Sequence, residues 1–150
     1  MQFNLRKKPF DDVRVRKALQ KAVNIDEINK TVFGGKGEVM YLDHFHPTRL
    51  GYNPNWEKRF PDAYGYDPEA AKKLLADAGY ASGLTLEMII TDSEETTQHQ
   101  LLQSQLKRVG IDVKFTVLPR EQHRPRLYRG DFDLYRNSGA GLLPFLCQSL

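Results

Sequence analysis

Two alternating segments in the second half of the chain constrain its fold more than any other feature. Residues 84–91 (LTLEMIIT) and 111–118 (IDVKFTVL) alternate apolar with polar side chains, which is the pattern of a strand with one buried face. The chain between them predicts a helix that begins after Asp92 or Ser93 and ends near Val109. Two strands joined by a helix run parallel, because the crossover returns the chain to the starting edge of the sheet. The sequence therefore predicts a βαβ unit.

The pattern continues beyond the second strand. A helical segment is predicted to begin at Pro119, and Pro125 is expected to kink or break it. A last strand is predicted from Phe132 to Arg136. Residues 84–136 are therefore expected to form a β-α-β-α-β core. The predicted fold class is α/β, with an open, largely parallel sheet flanked by helices.

Three helices are predicted in the first half of the chain. Residues 12–23 place apolar side chains at helical spacing, with Asp11 as the expected N-cap, and residues 26–33 predict a second helix. The third helix follows the capping residue Asp67 and ends at Gly79. These helices supply the apolar faces that an α/β sheet needs on its flanks.

The segment 36–66 shows no sustained period and is predicted to be a long irregular loop. Its prolines and aromatic residues are Pro47, Pro54, Pro61, Tyr41, Phe45, Tyr52, Trp56, Phe60 and Tyr64. Aromatic side chains can fix such a loop to a core, and long loops often have a functional role. This aromatic loop is therefore a second candidate for contact with a ligand.

The composition predicts one soluble globular domain. With 150 residues, of which 40% are apolar and 27% charged, the chain is long enough for one modest core. No apolar run approaches the roughly 18 residues of a membrane span, and residues 2–8 lack the apolar stretch of a signal peptide. Cys147 is the single cysteine, so the chain has no internal disulfide and the redox compartment stays open.

The candidate site follows from the predicted sheet. In open α/β sheets, ligands bind at the carboxyl ends of the strands. Three segments qualify, namely 91–93, 119–120 and 136–139. The last combines a cation, an amide, a hydroxyl and a glycine that permits close approach of the backbone. Its residues, Arg136, Asn137, Ser138 and Gly139, are the predicted ligand-binding residues.

Motifs of cofactor binding and catalysis are missing from the sequence. No P-loop and no G-x-G-x-x-G follows a predicted strand, and no G-x-S-x-G is present. Asp43, His44 and His46 form a D-H-x-H run, but no further ligand has a clear spacing, and His99 and His123 stand alone. We therefore expect no enzyme activity, no cofactor and no metal site, and a metal hydrolase that uses His44 and His46 stays open as an alternative.

A basic segment leaves a second alternative open. Arg120, Arg124, Arg126 and Arg129 are close enough in sequence to engage phosphates, as in a nucleic-acid-binding α/β module. Only Tyr128 offers base stacking there, and the net charge of the whole chain is a mild +3. A solvated basic surface is the preferred interpretation, and no nucleic-acid partner is expected.

Residues 3–19 (FNLRKKPFDDVRVRKAL) resemble the signature of the family 5 extracellular solute-binding proteins, the oligopeptide, dipeptide and nickel binders of ABC importers. Further segments match the family's pattern in the same order: 20–35, with its double glycine, 51–54 (GYNP), 65–80 (GYDPEAAKKLLADAGY), 105–117 and 129–134 (RGDFDL). The resemblance covers nearly all of the chain from residue 3 to residue 134.

The resemblance implies a function and a location. Members of the family are much longer and have two lobes that close on a ligand. The chain resembles the C-terminal lobe region alone, which implies one lobe of a two-lobe, type II-like periplasmic binding protein. The implied function is the substrate-binding component of an ABC importer, with a small-molecule or peptide ligand and a membrane permease as partners. The implied location is periplasmic or extracellular, with or without a lipid anchor.

The resemblance also implies what lies outside this chain. The signal segment and the first lobe are expected to be missing from it, with Met1 as an expression start. An exposed face between the lobes would then favour self-association of the fragment.

One departure from the family pattern bears on the ligand. Peptide-binding members carry an aromatic residue after the F-D-L strand and then an aspartate that pairs with the free amino group of the peptide. Gly139 and Leu142 occupy those positions here. Because an ammonium group needs a polar partner when it is buried, a blocked peptide, a sugar or another solute becomes as plausible a ligand as a free peptide.

Overall fold

The computed structural model of the chain describes residues 2–37, 52–91 and 96–135. In chain order, the helices and strands of the described part are β1 (Gln2–Phe3), α1 (Val13–Ala22), α2 (Ile25–Phe33), α3 (Pro54–Tyr64), α4 (Pro68–Asp77), β2 (Leu84–Thr91), α5 (Thr96–Lys107), β3 (Ile111–Leu118), α6 (Arg120–Arg129) and β4 (Leu134–Tyr135). Among these described residues, no helix has both the length and the apolar character needed to cross a membrane.

The strand order of the sheet is β1-β4-β2-β3. Strand β2 is the central strand of the parallel part, which consists of β4, β2 and β3. It runs parallel to β3 along its whole length, from Leu84 opposite Ile111 to Thr91 opposite Leu118. Strand β4 pairs in parallel with the other side of β2, and β1 pairs antiparallel with β4. The predicted open, largely parallel sheet flanked by helices is confirmed.

The main core lies on one face of this sheet, against α1, α4 and α5. Leu86, Met88 and Ile90 of β2 point towards it and are buried, as their alternation predicts. The other members of the core are Phe10, Val15, Ala18, Leu19, Ala22, Ala71, Leu75, Leu102, Leu106, Val109, Ile111, Val113 and Leu134. Glu87 and Ile89 occupy the opposite face, where α6 packs on β2. Burial of apolar surface stabilises a fold by roughly 25 cal/mol per Å², so this face contributes most of the favourable free energy.

Capping residues mark where the helices begin and end. Helix α1 is capped by Asp12 and not, as expected, by Asp11, because the Asp12 carboxylate accepts a hydrogen bond from the backbone N–H of Arg14 at 2.8 Å. Hydrogen bonds from Arg14 also lower the pKa of Asp12. Asp67 caps α4 as predicted. Gly34 ends α2 with a φ of 60°, a left-handed conformation that glycine adopts without steric cost.

The prediction of a long loop over 36–66 is wrong for its second part, which forms α3. Asn53 caps this helix by accepting a hydrogen bond from the backbone N–H two residues on, at 3.0 Å. Phe60 is buried on the inner side of the helix. Tertiary contact therefore stabilises a helix whose local period is interrupted by Pro61. Residues 38–51 of the predicted loop lie outside the described residues.

Pro125 does not break α6, contrary to expectation. The helix runs without interruption from Arg120 to Arg129. Proline removes a single donor from the helical ladder, and the ring of Pro125 lies on the exposed side. His123 and Arg126, on either side of the proline, are both turned towards the sheet, so packing holds the two halves of the helix in line.

The apolar face predicted for β3 is buried along only part of the strand. Ile111 and Val113 are buried and Phe115 is partly buried, but Val117 is 57% exposed. The reason is its place at the carboxyl end of the strand, beyond the contact of Phe115 with His99 of α5. An apolar side chain is thus exposed at the edge of the sheet where ligands were expected.

Strand β3 forms one edge of the sheet in the described part of the chain. Gln103 of α5 donates a hydrogen bond to the carbonyl of Val113 at 2.6 Å. Asp112 and Lys114 expose charged side chains on the same strand. A carbonyl with its own partner and exposed charges both disfavour pairing with a further strand.

Glu87 connects β2 to the elements on either side of it. Its carboxylate accepts hydrogen bonds from the guanidinium of Arg126 at 2.9 and 3.0 Å and from the hydroxyl of Thr116 at 2.7 Å. Its backbone N–H donates to the carboxylate of Asp133, just before β4, at 2.9 Å. Arg126 also pairs with Asp131 at 3.1 Å. One residue of the central strand therefore fixes α6, β3 and the start of β4 relative to one another.

Arg126 stays charged within this network. Burial disfavours its cation, but the hydrogen bonds with Asp131 and Glu87 raise its pKa above the ordinary value for arginine. Because Arg126 and Glu87 are both largely covered, removal of Arg126 leaves the Glu87 carboxylate without its compensating charge among the described residues.

Replacement of Arg126 by methionine is expected to lower the free energy of unfolding by about 1.5–3 kcal/mol, because charged hydrogen bonds to Glu87 are lost. Urea unfolding of the intact protein measures this change. The matched control is Arg124→Met on the exposed side of the same helix, for which we expect a change within about 0.5 kcal/mol. Equal effects of the two substitutions would contradict the structural role of the Glu87–Arg126 pair.

Candidate functional site

The carboxyl ends of the three parallel strands lie along one edge of the sheet. Thr91 of β2 is level with Leu118 of β3, and Tyr135 of β4 pairs with Ile89, two residues before the end of β2. The chain moves from β2 outward to β3 and then returns across β2 to β4. The strand order therefore reverses between β2 and β4, which is where open α/β sheets bind their ligands.

The position of this reversal distinguishes two of the three candidate segments of the sequence from the third. The segments that follow β2 and β4 border the reversal, whereas Pro119 follows the edge strand β3. Thr91 and Pro119 are described, but residues 92–93 are not. The predicted ligand-binding residues Arg136, Asn137, Ser138 and Gly139 also lie outside the described residues and begin directly after Tyr135. Their predicted role thus remains a prediction.

Tyr135 is the last described residue before the predicted site, and aromatic rings surround it. The ring centroid of His123, on α6, lies 5.1 Å from that of Tyr135, and the ring of Phe132 lies 6.2 Å away in an edge-on arrangement. His123 is only 5% exposed. In the sequence analysis His123 stands alone. Its spacing of three residues from Arg126 was the available signal that the two side chains lie on one face of the helix.

Helices α5 and α6 both begin at the carboxyl edge of the sheet, since each follows a parallel strand. The N-terminal end of a helix carries a partial positive charge and unpaired N–H groups. Pro119 precedes α6 without a side-chain hydrogen bond to it, and Arg120 is exposed in its first turn together with Glu121. The described part of this edge therefore offers hydrogen-bond donors to a solute.

The basic segment does not form one continuous cationic face. Arg126 is turned inward to Glu87 and Asp131, which leaves Arg120, Arg124 and Arg129 exposed. Tyr128 is 86% exposed on the same helix.

Metal binding has little support in the described part of the chain. Within it, no three histidine, cysteine, aspartate or glutamate side chains lie close enough together to hold a metal ion. His99 contacts Phe115, whereas His123 contacts Tyr135, so the two histidines belong to different helices and different contacts. Asp43, His44 and His46 lie outside the described residues.

A cavity of about 360 Å³ lies at the opposite, amino edge of the sheet, between α4 and the β2 and β3 strand starts. Its cations already have partners. Lys72 pairs with Glu69 at 2.8 Å, and hydrogen bonds with Tyr66 and then Glu27 raise the pKa of Arg108. This cavity is remote from the strand reversal and offers no free charge to a solute.

Comparison with known proteins identifies relatives along almost the whole chain. The model of the bacterial extracellular solute-binding proteins, family 5 Middle, matches residues 1–144. The dipeptide-binding protein of Escherichia coli K12 is 32% identical over 137 residues, which is 87% of this chain and 24% of the relative.

Two solved structures share the fold. DppA from Helicobacter pylori, an ABC transporter-associated periplasmic binding protein in complex with the peptide STSA, matches with a TM-score of 0.78 and 32% identity, over 89% of this chain and 25% of that one. AgaA from A. tumefaciens R10, in complex with agropinic acid, matches with a TM-score of 0.74 and 27% identity, over 89% of this chain and 27% of that one.

The chain spans about a quarter of the length of these relatives. Within that span, the family match covers the described strands and the helices that connect them. The family match over residues 1–144 shows that this chain belongs to the family 5 bacterial extracellular solute-binding proteins.

Proposed function

We propose that this chain is part of a two-lobed substrate-binding component of an ABC importer. The intact protein captures a small solute reversibly between its lobes and delivers it to a membrane permease. The observation that supports this most is the reversal of strand order between β2 and β4. A polar sequence follows β4 at that point, and a solute held between lobes needs such groups at a carboxyl edge.

The residues proposed to contact the solute are Arg136, Asn137, Ser138 and Gly139. Arginine supplies a charged fork, the amide and hydroxyl supply directed hydrogen bonds, and glycine permits close approach of the backbone. A single lobe supplies only part of the contacts of an enclosed solute. A lone lobe is therefore expected to bind weakly, since the solute and the binding groups are not preorganised.

The proposed ligand class is a small solute, not necessarily a peptide with a free amino group. The relatives include one in complex with a peptide and one in complex with agropinic acid. Leu142 stands where the family pattern has an aspartate, and a leucine side chain cannot pair with an ammonium group. This substitution favours a solute whose recognition does not depend on that charge.

The proposed location is periplasmic or extracellular, and a lipid anchor is compatible with it. Relatives are described as extracellular or periplasmic binding proteins. These relatives are binding proteins, so we propose a binding role without catalysis. Comparison with known proteins gives no support to the nucleic-acid alternative, and the inward pairing of Arg126 weakens the basic face that it needs. Self-association through the face between the lobes is proposed for the isolated chain.

A screen of peptides, blocked peptides, sugars and metals by thermal shift tests the proposed function in the intact protein. A solute present at a hundred times its dissociation constant is expected to stabilise the protein by about 2.7 kcal/mol, because it binds the folded state alone. Binding of a nucleic acid, measured at several salt concentrations, provides the control, since its affinity would fall steeply with salt. Failure of every solute class to stabilise the protein would count against solute capture.

Replacement of Arg136 by alanine is expected to weaken binding of the solute found in that screen by about 10–100-fold, the loss that follows removal of a charged hydrogen bond. Isothermal titration calorimetry measures the dissociation constant. Arg124→Ala, on the exposed side of α6, is the matched control and should leave the affinity unchanged. If both variants bind as tightly as the parent protein, residues 136–139 are not the site.

A further inference from the structure

We propose that the exposed side of helix α6 docks on an acidic protein surface of the membrane permease. This inference rests on the proposed function, because it names the part of the chain that meets the permease. The docking surface, termed the α6 ridge, consists of Arg120, Arg124 and Tyr128, which follow one another at intervals of one helical turn. In this proposal the α6 ridge contacts the permease and not the solute.

The side chains of the α6 ridge are those that proteins use to bind one another. All three are exposed, and Tyr128, at 86%, is the most exposed large apolar or aromatic residue in the described part of the chain. Helix α6 contains four arginines and no lysine. Arginine and tyrosine are enriched at protein interfaces, where lysine is depleted. The composition of the helix therefore favours a protein as its partner.

The two arginines of the α6 ridge have no role in the packing of the helix. Arg126, on the inner side, pairs with Glu87 and Asp131, whereas neither Arg120 nor Arg124 forms an ion pair or a side-chain hydrogen bond with the described residues. Two like charges one turn apart repel each other and weaken the helix that carries them. Stability of the described fold therefore does not account for the α6 ridge, and a partner with carboxylates would relieve its repulsion.

The charge of α6 indicates the chemistry of the partner. Arg129 is a third exposed arginine, and the exposed carboxylate of Glu121 leaves an excess of two positive charges on the outer side of the helix. The planar guanidinium group binds a carboxylate through two parallel hydrogen bonds. A protein surface with clustered aspartate or glutamate side chains is therefore the complement of the α6 ridge.

Two other anionic partners fit α6 less well. A helix that lies on a lipid surface inserts an apolar face, but Tyr128 is the only large apolar or aromatic residue exposed on this helix, all of which is described. A nucleic acid needs a longer basic track with rings for base stacking, and the inward turn of Arg126 interrupts that track.

The position of the α6 ridge agrees with its charge. Arg120 is separated from Leu118, the last residue of β3, by Pro119 alone, so the ridge begins at the carboxyl edge of the sheet. Open α/β sheets hold their solutes at this edge. Transfer of a solute to a permease without release into bulk solvent requires that the two proteins meet close to the place where it is held. Position and charge therefore both favour the permease as the partner.

Helix α3 contains a matched control on the other side of the sheet. It packs on α1, which covers the main core, whereas α6 packs on the opposite face, where Arg126 pairs with Glu87. Arg59 of α3 is exposed and, like Arg124, forms no ion pair with the described residues. Reversal of either charge changes the net charge of the protein equally, so the two variants differ in position alone.

Site-specific photocrosslinking in whole cells tests the inference with the intact protein and its own importer. The photoreactive residue p-benzoylphenylalanine replaces Tyr128, which exchanges one exposed aromatic side chain for another. Irradiation is expected to link the intact protein to a membrane-spanning subunit of the importer, identified by mass spectrometry. The same photoreactive residue in place of Arg59 should not give this product.

Reversal of one charge then tests the electrostatic part of the inference. Arg124→Glu in the photoreactive protein is expected to lower the yield of the permease product about tenfold, because a like charge then faces the acidic surface. Arg59→Glu should leave the yield unchanged. Arg124→Glu also places an opposite charge one turn from Arg120, so the melting temperature is expected to stay at the parent value.

Several results would overturn the inference. One is a product that joins position 128 only to the same chain, to a second copy, to lipid or to nucleic acid. Others are the absence of any product and equal yields in Arg124→Glu and Arg59→Glu. Failure of solute capture is recognised separately, because it appears as the absence of solute binding by the parent protein in the thermal-shift screen.

Discussion

The pair formed by Glu87 and Arg126 is the interaction on which the arrangement of the carboxyl edge depends. A carboxylate on the central strand of a sheet is unfavourable unless partners compensate for its burial. Here the compensation comes from α6 and from the hydroxyl of Thr116 on β3, while the backbone of Glu87 holds Asp133 before β4. The apolar core stabilises the other face, but this polar network determines where α6 and β4 lie.

The sheet topology relates this network to function. A strand order with β2 between β3 and β4 makes the chain reverse direction across the central strand. The reversal brings the ends of β2 and β4 together, although Thr91 and Tyr135 are far apart in sequence. A binding protein of this family can therefore vary the residues after each strand without disturbing the buried framework beneath them.

The sequence predicted the parallel sheet and most helices correctly, because each depends on local periodicity and capping, as with Asp67 before α4. It failed where tertiary contacts outweigh local signals. Helix α3 depends on the burial of Phe60, and α6 continues past Pro125 because its inner side chains are held against the sheet. The role of Glu87 was hidden as well, since its partners come from segments distant in sequence. The single charged residue in residues 84–91 was the one visible sign.

In the described part of the chain, the open side of β3 limits one way in which copies of the chain can meet. Gln103 donates a hydrogen bond to the carbonyl of Val113 on that strand. The residues on either side of Val113, Asp112 and Lys114, expose charges of opposite sign. Growth of a continuous intermolecular sheet, the first step towards fibrous aggregates, is disfavoured at this side. Encounters between copies of this chain at the described length of β3 would therefore involve contacts between side chains and not backbone hydrogen bonds of a shared sheet.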